Sequence, residues 1–417
     1  MTMEPASAAR LSRRRLLGGV AGLGLINAAG IGLAGCATQS AGAAQQHTVP
    51  FYGAHQAGIT TDIQDRLAFA AFDATTTRRE DLQALLKTWT AAAEAMTRGV
   101  MVPGDSHADE MPPADTGEAV GLSPAKLTIT VGFGPSLFDG RFGLAPRRPA
   151  ALTDLPALPH ETLDPARSGG DIGIQACAND PQVAFHAVRN LARLGRGIVV
   201  TRWTQLGFGR TSSTGAAQET PRNLMGFKDG TRNIRSDDTA ALDKHVWVGT
   251  EAGQEWMRGG SYLVARRIRM FIETWDRDRL SDQEAVFGRA KYTGAPLSGK
   301  TEFDNPDFTA KTADGELTIP GDAHIRLAAF ENNNGLRILR RGYSFTDGID
   351  PRTGTLDAGL FFISFQKDPA QFITLQRKLG TQDALNEYIL HVGSALFVCP
   401  QGVPDASRYW GQALFEG

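Results

Sequence analysis

The residues best suited to chemistry in this chain are an aspartate set between glycines, a histidine well downstream and an arginine soon after it. Asp229 lies in Gly226-Phe227-Lys228-Asp229-Gly230, His324 in Gly321-Asp322-Ala323-His324-Ile325-Arg326-Leu327, and Arg340 in Leu336-Arg337-Ile338-Leu339-Arg340-Arg341-Gly342-Tyr343. A carboxylate can take and return a proton. A neutral imidazole can ligate a metal. A guanidinium offers fixed donors to growing negative charge. Each also has a plainer use. Asp-Gly is a favoured turn pair, a lone histidine is usually structural, and a strand-end arginine usually faces water. Strand alternation puts Ile338 and Arg340 on one face, and Leu339 and Arg341 on the other, so only one of the adjacent arginines can enter a given pocket.

The elements around these residues read as one unit used twice. Arg66 to Asp73 alternates as a strand, and Arg79 to Arg98 is helical, with acids early and a base late. Leu127 to Phe133 and Ile172 to Ala178 are strands. Asp180-Pro181 starts a helix that runs to about Leu194, and Ile198 to Trp203 closes the unit. The second half has a long strand from Ser261 to Thr274 and a capping-box helix start at Ser281-Asp282-Gln283-Glu284. Strands follow at Leu336 to Phe345 and Gly359 to Phe365, then a helix opened by Asp368-Pro369 and a last strand from Ala395 to Cys399. The order β-α-β-β-α-β is the ferredoxin-like arrangement. The fold class is therefore α+β: two ferredoxin-like βαββαβ halves, residues 47–215 and 216–417, whose four-stranded antiparallel sheets pack as an α+β barrel-like body.

The chain has 417 residues, enough for a sizeable core, and a net charge of −2. With no basic stretch beyond the N-terminus, nucleic acid is not an expected partner. Three cysteines, Cys36, Cys177 and Cys399, do not make a disulfide framework. Cys177 and Cys399 sit in apolar strand-like runs and read as buried thiols, with a bridge between them as the alternative.

Residues 1–46 read as a leader and linker. Ser12-Arg13-Arg14-Arg15-Leu16-Leu17 ahead of a Gly- and Ala-rich apolar run resembles a twin-arginine (Tat) signal peptide, with a membrane anchor as the alternative. Leu33-Ala34-Gly35-Cys36 resembles a lipobox that would lipidate Cys36; ordinary cleavage between Ala37 and Ala44 stands beside it. Export by Tat, to the periplasm or the outside, suits a protein that must carry a cofactor before it crosses the membrane.

GFKDGTRN, within the longer string Glu219 to Asn233, resembles the haem-loop segment of the dye-decolourising peroxidases. AHIRLA, from Ala323 to Ala328, resembles the family's proximal-ligand segment, and Phe287 to Pro296 also matches. The resemblance spans about Thr48 to Gly417. It is strongest to the exported branch found with bacterial ferrous-iron uptake systems.

The resemblance implies one haem b per chain, with His324 as iron ligand and Asp229 and Arg340 on the distal face. Gly230, Thr231, Arg232, Arg289 and Arg326 would contact the cofactor, Arg289 and Arg326 through its propionates. Glu387 is preferred over Asp383 as acceptor for the second ring nitrogen of His324. Two departures from the family stand out: Arg232 where Ala is common, and Ala329 to Asn334 where an Asn-Pro-Arg-like string is common. The implied activity is reduction of hydrogen peroxide with oxidation of dyes, phenols or other organic one-electron donors. Trp203, Trp247, Trp256, Trp275, Trp410 and Tyr409 could relay electrons, though each reads more simply as core. The alternatives are a deferrochelatase that releases iron from haem, working with ferrous-iron uptake components, and a passive haem carrier. A homo-oligomer and a lipid anchor at Cys36 complete the expected partners.

Overall fold

The computed structural model describes residues 47–416. The expected signal segment, with Cys36, lies outside the described residues. Among them, the strands are β1 (Arg66–Ala74), β2 (Thr128–Phe133), β3 (Ile172–Ala178), β4 (Val199–Arg210), β5 (Ser261–Met270), β6 (Leu339–Arg340), β7 (Tyr343–Ile349), β8 (Leu356–Gln366) and β9 (Ile389–Cys399). The helices are α1 (Arg79–Thr97), α2 (Pro181–Leu194), α3 (Thr239–His245), α4 (Ile272–Trp275), α5 (Leu280–Phe287), α6 (His324–Ala328), α7 (Pro369–Gln382) and α8 (Gln412–Glu416).

Each half keeps the ferredoxin-like order, β4-β1-β3-β2 in the first and β9-β5-β8-β7 in the second. The halves form the barrel-like body that the sequence suggests. They join edge to edge into one closed antiparallel sheet. One seam is the single pair Phe133↔Val398 between β2 and β9. The other pairs Phe208↔Ser344 and Arg210↔Tyr343 between β4 and β7. Closure leaves the main strands without free edges.

The barrel explains why β1 is apolar on both faces. Leu67, Phe69 and Ala71 point into the barrel interior, with Trp203, Phe361 and Phe397. Ala68, Ala70 and Phe72 point outward under α1 and α2, against Leu82, Leu86, Trp89 and Leu191. Cys177 and Cys399 are buried free thiols, so no bridge joins them.

The two Asp-Pro starts behave alike. Asp180 accepts from the backbone N–H of Gln182 and Val183, and Asp368 forms a capping box with Gln371. The capping box expected at Ser281 is absent. Helix α5 starts one residue earlier at Leu280, with no side-chain cap, and Ser281 bonds Asp282 instead. The long strand expected to Thr274 ends at Met270, and the chain turns at once into α4. The strand expected from Leu336 to Phe345 is broken at Arg341-Gly342. There Gly342 passes so close to Thr211 that a Cβ would stand 2.7 Å from its Oγ1.

A buried ion pair locks the end of β1. Asp171 accepts from Ala74 N–H at 2.8 Å and from Arg141 Nη2 at 2.9 Å. Burial alone would raise the Asp171 carboxyl; the bonds from Arg141, Ser136 and Ala74 outweigh it and hold the pKa below the ordinary value. Its stabilisation is therefore complete above the ordinary carboxylate range and is lost as pH falls through the lower folded value. Asp171→Ala should cost about 1–3 kcal/mol at neutral pH, since it leaves the Ala74 N–H without its acceptor while Arg141 keeps Asp139, and urea unfolding at pH 7 measures it.

Candidate functional site

The second half carries one large cavity, with an empty volume of about 1640 Å³ including open solvent at its mouth. Apolar side chains from β5, β8 and α7 form much of its wall, among them Ile268, Phe362, Phe372 and Leu375. Asp229, Gly230, Thr231, Arg232, Arg289, His324 and Arg340 all line it. The sequence therefore brings its candidate acid, imidazole and guanidinium to one place.

The Asp229 loop is a tight turn for stated reasons. Gly226 and Gly230 have φ of +84° and +87°, which disfavour any residue with a Cβ. A Cβ on Gly230 would also stand 2.6 Å from the Ser212 Cα. Phe227 is buried and stacks on Phe287 with ring centroids 4.1 Å apart. Asn223 Oδ1 accepts from Met225 and Phe227 N–H, and its Nδ2 donates to Asp229 Oδ2 at 3.3 Å.

Arg340 sits at the end of β6, and Asn233 clamps its backbone. Arg340 N–H donates to Asn233 Oδ1 at 2.9 Å, and Asn233 Nδ2 donates to Arg340 O at 2.9 Å. Arg340 Nη1 reaches Asp229 Oδ1 at 3.1 Å, with side chains 27% and 18% exposed. Arg341 goes the other way. It is fully buried, donates to Thr61 O and Gln64 Oε1, and stays out of the cavity.

His324 opens α6. Its Nδ1 donates to Asp383 Oδ2 at 2.6 Å, and its Nε2 has no protein partner among the described residues. Burial disfavours charge on the ring; the adjacent Asp383 carboxylate outweighs this and raises the pKa above the ordinary value. The acceptor is thus Asp383 and not Glu387. The chain leaves α7 at Gln382, Asp383 accepts from Leu385 N–H to start a 3₁₀ turn, and Glu387 at that turn's end faces solvent.

Arg326 is also placed differently from expectation. It donates to the Ile319 and Pro320 carbonyls, lies over Phe308 and does not line the cavity. Two residues past His324 is about 200° around a helix, which turns it from the cavity. Arg337, which sequence reasoning did not single out, lines the cavity instead. Its Nη1 lies 3.7 Å from Asp238 Oδ2. Strand alternation would put Arg337 on the face of Arg341, away from the cavity; it lines the cavity because it lies before β6, which begins only at Leu339.

Four guanidiniums, from Arg232, Arg289, Arg337 and Arg340, therefore share this cavity. Burial lowers Arg289 to about 10, with Arg232 and Arg340 adding repulsion against the pull of Glu302. Arg337 is lowered by burial too, and by the same two arginines. Arg232 has φ of +66°, a strained conformation for a residue with a Cβ. It is held by an ion pair to Glu331 and by stacking on Phe330, 4.4 Å from the ring centroid. The two departures noted in the sequence are thus one pair in space.

The six residues considered for electron relay, Trp203, Trp247, Trp256, Trp275, Trp410 and Tyr409, are all buried. No helix among the described residues is long and apolar enough to cross a membrane.

The fold is a closed α+β barrel with a large cavity in its second half. The Dyp-type peroxidase N-terminal model matches residues 56–209, and the Dyp-type peroxidase C-terminal model matches residues 220–404. The chain belongs to the Dyp-type peroxidase family, whose members are haem peroxidases. It is 39% identical to a deferrochelatase of Shigella sonnei, covering 97% of each chain. It is 38% identical to a deferrochelatase of Yersinia pseudotuberculosis, covering 97% of this chain and 95% of that one. Among solved structures, a DyP-type peroxidase from Streptomyces coelicolor superposes with a TM-score of 0.82 at 40% identity, over 90% of this chain and 99% of that one. Ferric DtpA from Streptomyces lividans superposes at 0.81, with 40% identity and the same coverage.

Proposed function

We propose that the chain is a haem b peroxidase that reduces hydrogen peroxide and oxidises organic one-electron donors. The observation that carries this is the meeting, in one cavity, of the Asp229–Arg340 pair with a histidine whose Nδ1 is committed to Asp383. The donor set fits haem. His324 Nε2 is available as a neutral ligand while Asp383 fixes the tautomer. The apolar wall suits a macrocycle, and the crowded guanidiniums suit its two propionates. Arg232, Arg289 and Arg337 are the residues proposed for those carboxylates.

Bound haem would supply the iron at which peroxide is reduced. Asp229 takes the proton from one peroxide oxygen and returns it to the other. Each Asp229 oxygen already accepts one bond, from Arg340 or Asn223, and keeps capacity for another. The Arg340 guanidinium donates to the oxygen on which negative charge grows. Asn233 keeps that guanidinium in place through the Arg340 backbone.

Asp383→Ala should weaken haem binding about 10–100-fold, because the ring loses the acceptor that orients it. Haemin titration of the purified protein followed in the Soret region measures this. Glu387→Gln should change nothing in the same titration.

A second reading is release of iron from haem. It is favoured by whole-chain relatives that carry the name deferrochelatase. Haem-loaded protein held without peroxide should then yield metal-free porphyrin, seen by its fluorescence; its absence leaves peroxidase alone. The paired arginines at Arg13 and Arg14 support export by the Tat route, with Cys36 as a lipidation site. Expression with Arg13 and Arg14 both changed to Lys tests this: the protein should stay in the cytoplasm.

A further inference from the structure

The Asp229 loop is fastened from outside by one carboxylate that no catalytic assignment uses. Glu302 Oε2 accepts from Lys228 Nζ at 2.5 Å, and Glu302 Oε1 accepts from Thr231 Oγ1 at 3.2 Å. Lys228 and Thr231 flank the Asp229-Gly230 dipeptide. One side chain, from a segment more than seventy residues downstream, therefore spans the turn that presents the acid. Glu302 is only 8% exposed, so its charge is committed to this task. Burial alone would raise its carboxyl. The bonds from Lys228, Thr220 and Thr231 outweigh that and keep it below the ordinary range.

The same residue fixes a second part of the cavity. Arg289 Nη1 donates to the Glu302 carbonyl at 3.0 Å and to the Gly294 carbonyl at 2.6 Å. Arg289 is 5% exposed and no carboxylate bonds its side chain, so the Glu302 carboxylate is the nearby anion that favours its charge. Glu302 thus ties the loop bearing Asp229 to the arginine on another cavity wall.

The backbone of the turn is held by Asn223 and Arg222, but few bonds reach the acid itself. Asp229 itself has the 3.1 Å bond from Arg340, a long 3.3 Å bond from Asn223, and its backbone bond to Pro221 O. A misplacement of about 1 Å in a reacting group can cost on the order of 100-fold in rate.

We propose that Glu302 is a positioning residue for peroxide reduction: by gripping Lys228 and Thr231 it holds Asp229 in register with Arg340. The inference rests on the peroxidase assignment made above. It assigns Glu302 no contact with peroxide or haem.

Glu302→Gln tests it, with Lys228→Met and the double variant, all in the haem-loaded full chain. The second-order rate with peroxide should fall about 10–100-fold in Glu302→Gln, with the Soret band and the donor KM unchanged. The double variant should lose no more than Glu302→Gln alone, because both changes remove one interaction. Hydrogen exchange in the haem-free protein should speed up over residues 226–233 and not in the barrel strands. A wild-type peroxide rate in Glu302→Gln overturns the inference, as does additive loss in the double variant. If Glu302→Gln fails to fold, Lys228→Met alone carries the test, and an unchanged rate there overturns it. Failure of the wild-type protein to react with peroxide would instead sink the peroxidase assignment, which separates the two.

Discussion

Arg340→Leu should retain haem and lose about 10²–10³-fold in the rate of peroxide-driven oxidation. That is the size of effect seen when one preorganised donor to developing negative charge is removed. The loss has two sources. The guanidinium no longer meets the charge that grows as the peroxide bond breaks, and Asp229 Oδ1 loses its 3.1 Å partner. The side chain is 27% exposed and its backbone is clamped by Asn233, so the fold should survive the change. Arg340→Lys should recover only part of the rate, because an ammonium keeps the charge without the planar fork. Stopped-flow absorbance separates these variants from a loading defect, since the Soret band reports haem before peroxide is added. Full activity in Arg340→Leu would remove its catalytic role.

His324→Ala should have the other large effect, on the cofactor. Loss of the orienting acceptor alone costs about 10–100-fold in affinity, and loss of the ligand should cost at least that. The Soret band should weaken greatly or change shape on haemin titration. Asp383 would then be a buried carboxylate, 3% exposed, with Leu385 N–H as its remaining bond, so the haem-free variant should also unfold at lower urea than wild type. An unchanged spectrum would rule out His324 as the ligand.

Local features of this fold were open to reading, and long-range ones were not. The alternation of β1 and β3 and the caps at Asp180 and Asp368 act within a few residues, so the chain advertises them. Barrel closure depends on Phe133 meeting Val398 and on Arg210 meeting Tyr343, contacts that no local pattern encodes. The strand break at Arg341-Gly342 comes from the close approach of Thr211, again a distant segment. At the site, strand alternation correctly separates Arg340 from Arg341. It does not separate Asp383 from Glu387, because the chain leaves α7 between Gln382 and Asp383 and only the turn geometry decides which acid meets His324. Arg326 is near His324 in sequence, but helix geometry turns it away. The pairing of Arg232 with Glu331 joins residues ninety-nine positions apart, which no local pattern encodes.

A cavity that holds haem through His324 and reduces peroxide with Asp229 and Arg340 should show itself when the haem-loaded protein is mixed with hydrogen peroxide and followed by stopped-flow absorbance. The Soret band should change at a rate that rises in proportion to peroxide concentration, and that slows about 10²-fold or more in Asp229→Ala and Arg340→Leu. A Soret band that does not respond to peroxide, or that responds equally fast in both variants, would contradict this assignment.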